Sequence, residues 1–258
     1  VADPLALLDV AVAAAEPAAD LLARTEPDAV ETKSSRTDLV TDVDRASERL
    51  IVEHLLRVRP DDAVLGEEGG ERAGTSGVRW VLDPLDGTTN FVYRYGAYAV
   101  SIAAEIAGEV VAGVVVDATR QERFTATRGG GAHLDGRPLS VTPADDLATA
   151  LVGTGFAYDA AVRGRQAQVL AEVLPRVRDL RRSGSAALDL CALAAGRLDG
   201  FWERGLAEWD RAAGALIAAE AGARVGRLGT GEPLTLLAAG PRLYPALEAL
   251  LLDAGAGF

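Results

Sequence analysis

Apolar residues recur at two spacings along this chain, and the alternation between them predicts its elements. Leu and Ala fall at helical spacing from Pro4 to Arg24 with Pro17 inside, which reads as one kinked helix or two short ones. Glu31 to Leu39 is polar and loop-like. Ala46, Leu50, Ile51, Leu55 and Val58 then mark a second helix, opened by Thr41-Asp42-Val43-Asp44 and stopped by Pro60. Ala63 to Leu65 is a short strand running into Gly66-Glu67-Glu68-Gly69-Gly70, and Glu71 to Gly77 reads as a surface loop. Strand-like runs follow at Trp80 to Leu82, Tyr98 to Ile106, Glu109 to Asp117 and Arg123 to Thr127, with a hairpin turn at Ala107-Gly108. This first half should be an antiparallel or mixed sheet with the two long helices against it.

From Ala150 strand and helix alternate: strands at Leu151 to Thr154, Asp179 to Arg182 and Leu198 to Trp202, helices at Ala160 to Val173, Ala186 to Ala195 and Glu208 to Glu220. Strands near Ala223 to Leu228 and Leu234 to Ala239 and a helix from Tyr244 to Leu252 complete it. Two halves are expected, 1–148 of α+β character and 149–258 of α/β character.

The stretch Trp80 to Phe91, W-V-L-D-P-L-D-G-T-T-N-F, stands out chemically. Pro84 disfavours the helical conformation at Asp83, so Asp83 should end a buried strand. Gly87 frees the chain to turn, and Thr88 and Thr89 suit the cap of a helix from about Asn90. Asp83, Asp86 and the Leu85 carbonyl can then converge. Hard oxygen ligands without His or Cys suit Mg²⁺, and free amides at a helix start suit phosphate. A self-capping acidic turn is the plainer alternative. At two helix starts capping and catalysis are equally open, for Asp42 and Asp44 and for Asp210. Of the adjacent Glu67 and Glu68, only one can point into a shared site if the chain is extended. His54 and His133 carry no chemistry in this reading, Gly129-Gly130-Gly131 lacks nucleotide-loop spacing, and Ser183-Gly184-Ser185 is a strand-to-helix loop of the kind that caps or binds ligands.

Composition narrows the function. A length of 258 residues with 49% hydrophobic content supports a large core, and the net charge of −12 argues against a nucleic-acid partner. An anionic substrate would then need bridging cations. Cys191 stands alone in an apolar helical stretch, which excludes a disulfide framework and fits a reducing cytoplasm. No secretory signal is read ahead of the first helix, and charges or Pro interrupt every apolar run before membrane-spanning length. Lys33 is the single lysine among 26 basic residues and lies next to the acidic segments.

Four segments taken together, D-L-V-T-x-x-D (Asp38 to Asp44), G-E-E (Gly66 to Glu68), D-P-L-D-G-T-T-N-F (Asp83 to Phe91) and W-D-x-A-A-G (Trp209 to Gly214), resemble the signature of the inositol monophosphatase family. G-T-G-F-A-Y (Gly153 to Tyr158) and R-R-S-G-S-A-A-L-D-L-C (Arg181 to Cys191) look most like actinobacterial members of the extragenic-suppressor type. The resemblance implies an α+β layered αβαβα sandwich of the sugar-phosphatase kind and a lithium-sensitive, Mg²⁺-dependent phosphatase acting on inositol-1-phosphate. It implies two or three Mg²⁺: one on Glu67, Asp83 and the Leu85 carbonyl, a second on Asp83, Asp86 and Asp210, a third on Glu67 and waters. Thr88 with Asp44 would orient and deprotonate the attacking water, the Gly87 and Thr88 amides would cradle phosphate, and Lys33 would stand near the metals. Glu203 would accept from an inositol hydroxyl, with Gly184, Ser185 and Ala186 on the sugar side. In-line displacement without a phosphoenzyme and a homodimer are further implications. Histidinol phosphate, fructose-1,6-bisphosphate and phosphoadenosine phosphate stay open as other substrates, as does a protein-binding regulatory role.

Overall fold

A computed structural model of the chain describes residues 2–27, 30–32 and 39–257, so Lys33 and Asp38 lie outside the described residues. Helix α1 (Pro4–Arg24) is a single helix through Pro17, its first turn capped by Asp3, which accepts from the Leu5 amide. A short antiparallel ribbon, β1 (Val30–Thr32) with β2 (Leu39–Thr41), leads into α2 (Asp42–Val58). The polar stretch read as loop is thus strand at both ends. There follow β3 (Ala63–Gly66), β4 (Gly70–Arg72), β5 (Val78–Asp86), α3 (Thr88–Val92), β6 (Ala99–Ile106), β7 (Glu109–Asp117), β8 (Glu122–Thr127), β9 (Gly131–Leu134) and β10 (Arg137–Pro138). The strands form one sheet ordered β10-β9-β8-β7-β6-β5-β3-β4, antiparallel except for the β3–β5 pair. Strand β4 occupies part of the expected surface loop because Gly70, at φ 72°, folds the chain back onto β3.

The rest of the chain is β11 (Leu151–Thr154), α4 (Ala160–Val173), β12 (Asp179–Arg181), α5 (Ala186–Ala194), β13 (Gly200–Arg204), α6 (Glu208–Glu220), β14 (Arg224–Arg227), β15 (Thr235–Ala239) and α7 (Tyr244–Asp253). Its five strands are ordered β12-β11-β13-β15-β14, with β11 parallel to both neighbours and β15 antiparallel to both of its own.

Four apolar clusters show how these pieces stack. Leu7, Leu22, Ile51 and Leu55 of α1 and α2 pack on Trp80, Leu82, Ile102 and Val114. The opposite face of that sheet, with Val81, Ala103 and Val115, packs on Cys191, Ala213 and Ile217 of α5 and α6. The same two helices cover the five-stranded sheet through Leu190, Ala218, Phe201 and Ala238, and α4 and α7 close its far side through Val169, Leu247 and Leu251. The result is an αβαβα sandwich. No helix among the described residues is long and apolar enough to cross a membrane.

Two local expectations are corrected. Strand β5 does not stop at Asp83 but runs to Asp86, because a bulge between them lets Pro84 leave the ladder without breaking it. Helix α3 starts at Thr88, not near Asn90, and its cap is Gly87 at φ 102°. A side chain there would stand 2.9 Å from the Ala97 carbonyl, so both conformation and space require glycine. Thr88 does not cap the helix because its hydroxyl is engaged elsewhere.

Candidate active site

The period of β5 sets the first acids. Trp80 and Leu82 face α1 and α2, Val81 faces α5 and α6, and Asp83, two residues on, shares the side of Val81. Asp83 is 2% exposed, and its Oδ1 accepts from the Leu85 amide at 2.9 Å. Past the bulge, Asp86 is held by the start of α5: its Oδ2 accepts from Ser185 Oγ at 2.6 Å and the Ala187 amide at 2.7 Å. Asp210, in the first turn of α6, accepts from the Ala207 amide at 2.7 Å. That turn is seated against β5 by the Arg79 guanidinium, which grips both carboxylate oxygens of Glu208 at 2.6 and 3.0 Å.

These pieces meet in a cavity of about 620 Å³, lined by Glu67, Asp83, Leu85, Asp86, Gly87, Thr88, Gly184, Ala186, Glu203 and Asp210 among others. A second cavity of about 690 Å³ lies beyond Arg182 and Ser183, but of its three acids Asp117 and Glu122 are paired with Arg120 and Arg197, Asp189 is buried in α5, and none of Glu67, Asp83, Asp86 and Asp210 lines it. The chemistry belongs to the smaller space.

Its electrostatics are those of crowded negative charge. Burial, then repulsion from Glu67, Asp86 and Asp210, holds Asp83 well above the usual carboxylate range. Burial pushes Asp86 up to about 6 against the bonds from Ser185 and Ala187. Glu203 is raised well above its ordinary value by burial and by Asp189, Asp86 and Asp210. Among the described residues no three His, Cys, Asp or Glu side chains already enclose a point where an ion could sit. The acids form an open wall instead. Oxygen donors on an open wall fit a hard divalent cation that keeps several of its waters, and mutual repulsion is what such a cation relieves.

Behind that wall is a hydrogen-bonded pair. Thr88 Oγ1 is 3.0 Å from Asp44 Oδ1 and 3.1 Å from the Leu85 carbonyl, both acceptors. Asp44 is fully buried and forms a capping box with Thr41, taking the Thr41 amide at 2.8 Å and the Thr41 hydroxyl on Oδ2. Burial raises its pKa while these hydrogen bonds oppose the shift. Capping and contact with the site were open alternatives for Asp44, and the carboxylate does both with different oxygens.

Of the residues assigned from sequence, Lys33 falls outside the described residues. Ser185 is placed differently from expectation: it is 1% exposed and does not line the cavity, because its hydroxyl bonds Asp86 and accepts from the Leu188 amide as the cap of α5. Glu67 lines the cavity and Glu68 does not. Gly129-Gly130-Gly131 is a structural turn whose Gly129 and Gly131 amides bond the Glu220 carboxylate at 2.8 and 3.0 Å.

Two residues at the site escape sequence reasoning. Asn90 ties α3 to the loop before α5, its Nδ2 donating to the Ala97 and Ser183 carbonyls at 2.8 Å each. Asp189 is 4% exposed, and burial pushes it up to about 7. Asp189 falls among the apolar residues of α5, and only its charge in such a run could have drawn notice.

Comparison with known proteins agrees with this fold. A phosphatase named inositol-1-monophosphatase SuhB from Mycobacterium tuberculosis is 52% identical over 236 residues, 86% of this chain and 81% of that protein. Nus factor SuhB of Escherichia coli is 43% identical over 256 residues, 96% of each. The crystal structure of the extragenic suppressor protein SuhB from Bartonella henselae superposes with a TM-score of 0.90 at 38% identity, covering 95% of this chain and 98% of that one. With residues 3–253 matching the model of the inositol monophosphatase family, the chain belongs to that family.

Proposed function

We propose that this protein hydrolyses inositol-1-phosphate to inositol and phosphate with Mg²⁺. What carries the reading is the conjunction of four cavity-lining or adjoining carboxylates with the buried Thr88–Asp44 pair on one wall. Glu67, Asp83, Asp86, Asp210 and the Leu85 carbonyl would hold two or three Mg²⁺. Bound there, the ions supply charge neutralisation at the attacking and leaving oxygens of a dianionic ester.

The chain's own groups supply the proton path. A water in the cavity gives its proton to Thr88 Oγ1 as Thr88 passes its own to Asp44 Oδ1, at the 3.0 Å separation seen. Asp44 accepts it as a buried carboxylate whose raised pKa strengthens it as a base. The water oxygen attacks phosphorus in line, the ester P–O bond breaks, and the polyol leaves as an alkoxide that takes a proton from solvent water, while Asp44 returns its proton to solvent. Gly87 and Thr88 present the turn that cradles phosphate. Glu203, with Gly184 and Ala186 beside it, orients the polyol by accepting from a hydroxyl. In this reading residues 1–148 supply most of the ion-binding wall and 149–258 supply Asp210 and the substrate side, in a cytoplasmic homodimer.

The test is phosphate release from inositol-1-phosphate, histidinol phosphate, fructose-1,6-bisphosphate and phosphoadenosine phosphate, with Mg²⁺ titrated and Li⁺ added. Fastest release from inositol-1-phosphate, dependent on Mg²⁺, is the expected result. Preference for another ester would keep the chemistry and move the substrate. The name Nus factor on a relative matching 96% of this chain supports a second reading, a protein-binding regulatory role, to which absence of any release would point.

A further inference from the structure

One buried carboxylate next to the site has no part in the chemistry above. Glu48 lies in α2 one turn beyond Asp44, is 7% exposed, and is surrounded by the G-E-E-G turn after β3. Its Oε2 accepts from the Glu68 amide at 2.9 Å. The chain wraps it so closely that a side chain on Gly66 would stand 2.6 Å from Oε2, and one on Gly69 would stand 2.5 Å from Oε1. Neither glycine has a positive φ, so their smallness serves the carboxylate and not the backbone conformation.

Glu48 is one of three buried polar residues on one face of α2. Asp44, Ser47 and Glu48 stand at i, i+3 and i+4, and each grips a different segment of the site. Asp44 holds Thr88, Ser47 Oγ donates to the Pro84 carbonyl at 2.8 Å, and Glu48 holds the turn that carries Glu67.

We infer that Glu48 is a positioning residue: through its seat under Gly66–Gly69 it fixes the turn that presents Glu67 to the cavity. A carboxylate is a costly buried group, and here it accepts a backbone amide of the turn that closes over it. Glu48 is not among the residues that line the cavity, so its effect on the site is carried through the turn. The inference rests on the proposed role of Glu67 in holding Mg²⁺, and its test separates the two.

The experiment measures amide hydrogen exchange across residues 66–70 and Mn²⁺ binding by electron paramagnetic resonance, both without substrate, for wild type, Glu48→Ala, Glu48→Gln and Gly69→Ala. Glu48→Ala should expose the Glu68 amide to exchange and weaken Mn²⁺ binding by about 10-fold or more, as loss of an outer partner of a metal ligand does. Glu48→Gln keeps an acceptor and should stay close to wild type. Gly69→Ala should reproduce the loss in the wild-type background and add nothing in Glu48→Ala, where the group it would strike is gone. Unchanged exchange at Glu68 in Glu48→Ala, or equal and additive losses from the two substitutions, overturns the inference. Should wild type bind no Mn²⁺, the reading of the acids as an ion site fails, while the exchange data still decide the role of Glu48. Circular dichroism confirms that each variant is folded.

Discussion

The starts of α2 and α6 use one local device for two purposes. At each, an aspartate in the first turn folds back onto the amide three residues earlier, Asp44 onto Thr41 at 2.8 Å and Asp210 onto Ala207 at 2.7 Å. At α2 the cap residue is a threonine whose hydroxyl also binds the carboxylate, and the site is sealed. That leaves Asp44 one oxygen for Thr88 and shields it from the cavity. At α6 the cap is Ala207, which has no hydroxyl, and Asp210 stands on the cavity wall beside Asp83 and Asp86. The difference teaches that the cap residue three positions before a helix-start acid decides how that acid is held, sealed inside with a hydroxyl on one oxygen or standing on a cavity wall; the proposed function gives the first the role of proton acceptor and the second a share in ion binding.

The largest effect should come from Asp83, which belongs to the wall alone. Asp83→Asn is expected to abolish Mg²⁺-dependent phosphate release with the fold retained, checked by the release assay beside circular dichroism; appreciable residual turnover would remove Asp83 from the site. Next, the two helix-start acids should separate. Asp44→Asn is expected to lower kcat by about 10²- to 10⁴-fold with little change in the Mg²⁺ concentration for half-activation. Asp210→Asn should raise that concentration by about 10- to 100-fold. Identical Mg²⁺ profiles for the two variants would erase the contrast.

A smaller effect concerns acidity in the metal-free protein. Asp189 is pushed from the ordinary aspartate value near 4 up to about 7 chiefly by burial, so between those values the folded state binds more protons than the unfolded state. Stability therefore falls as pH rises through that window, and Asp189→Asn should flatten the decline in a series of thermal melts in EDTA. A wild-type melting temperature that rises from pH 5 to 7 would contradict this sign. The smallest change is Ser185→Ala, which removes the α5 cap and one bond to Asp86 and should cost about 1 kcal/mol in urea unfolding.

The elements are largely legible in the sequence because the periodicities are clean: the expected bounds of α6 are the observed ones, and α1, α4 and β7 follow the apolar pattern. The acids of the D-P-L-D-G-T-T segment were legible too, since Pro and Gly fix the turn that gathers them. What the sequence could not show are agreements between distant segments. The bulge that carries β5 past Pro84 depends on pairing with β6. The hydroxyl of Thr88 looks like a cap until Asp44, 44 residues earlier, is brought beside it. The seat of Glu48 exists only once the turn 20 residues later closes over it. Asn90 finds the Ser183 carbonyl 93 residues away.

The bidentate pair of Arg79 and Glu208 spans 129 residues of sequence and joins the strand of Asp83 to the helix of Asp210. Its consequence concerns recombination. A chimera that takes residues 1–148 from this chain and the remainder from a relative inherits the acids intact, yet it keeps their spacing only if the incoming half brings a carboxylate to meet Arg79. Compatibility of halves at this one contact, more than overall identity, should sort active chimeras from folded but inactive ones.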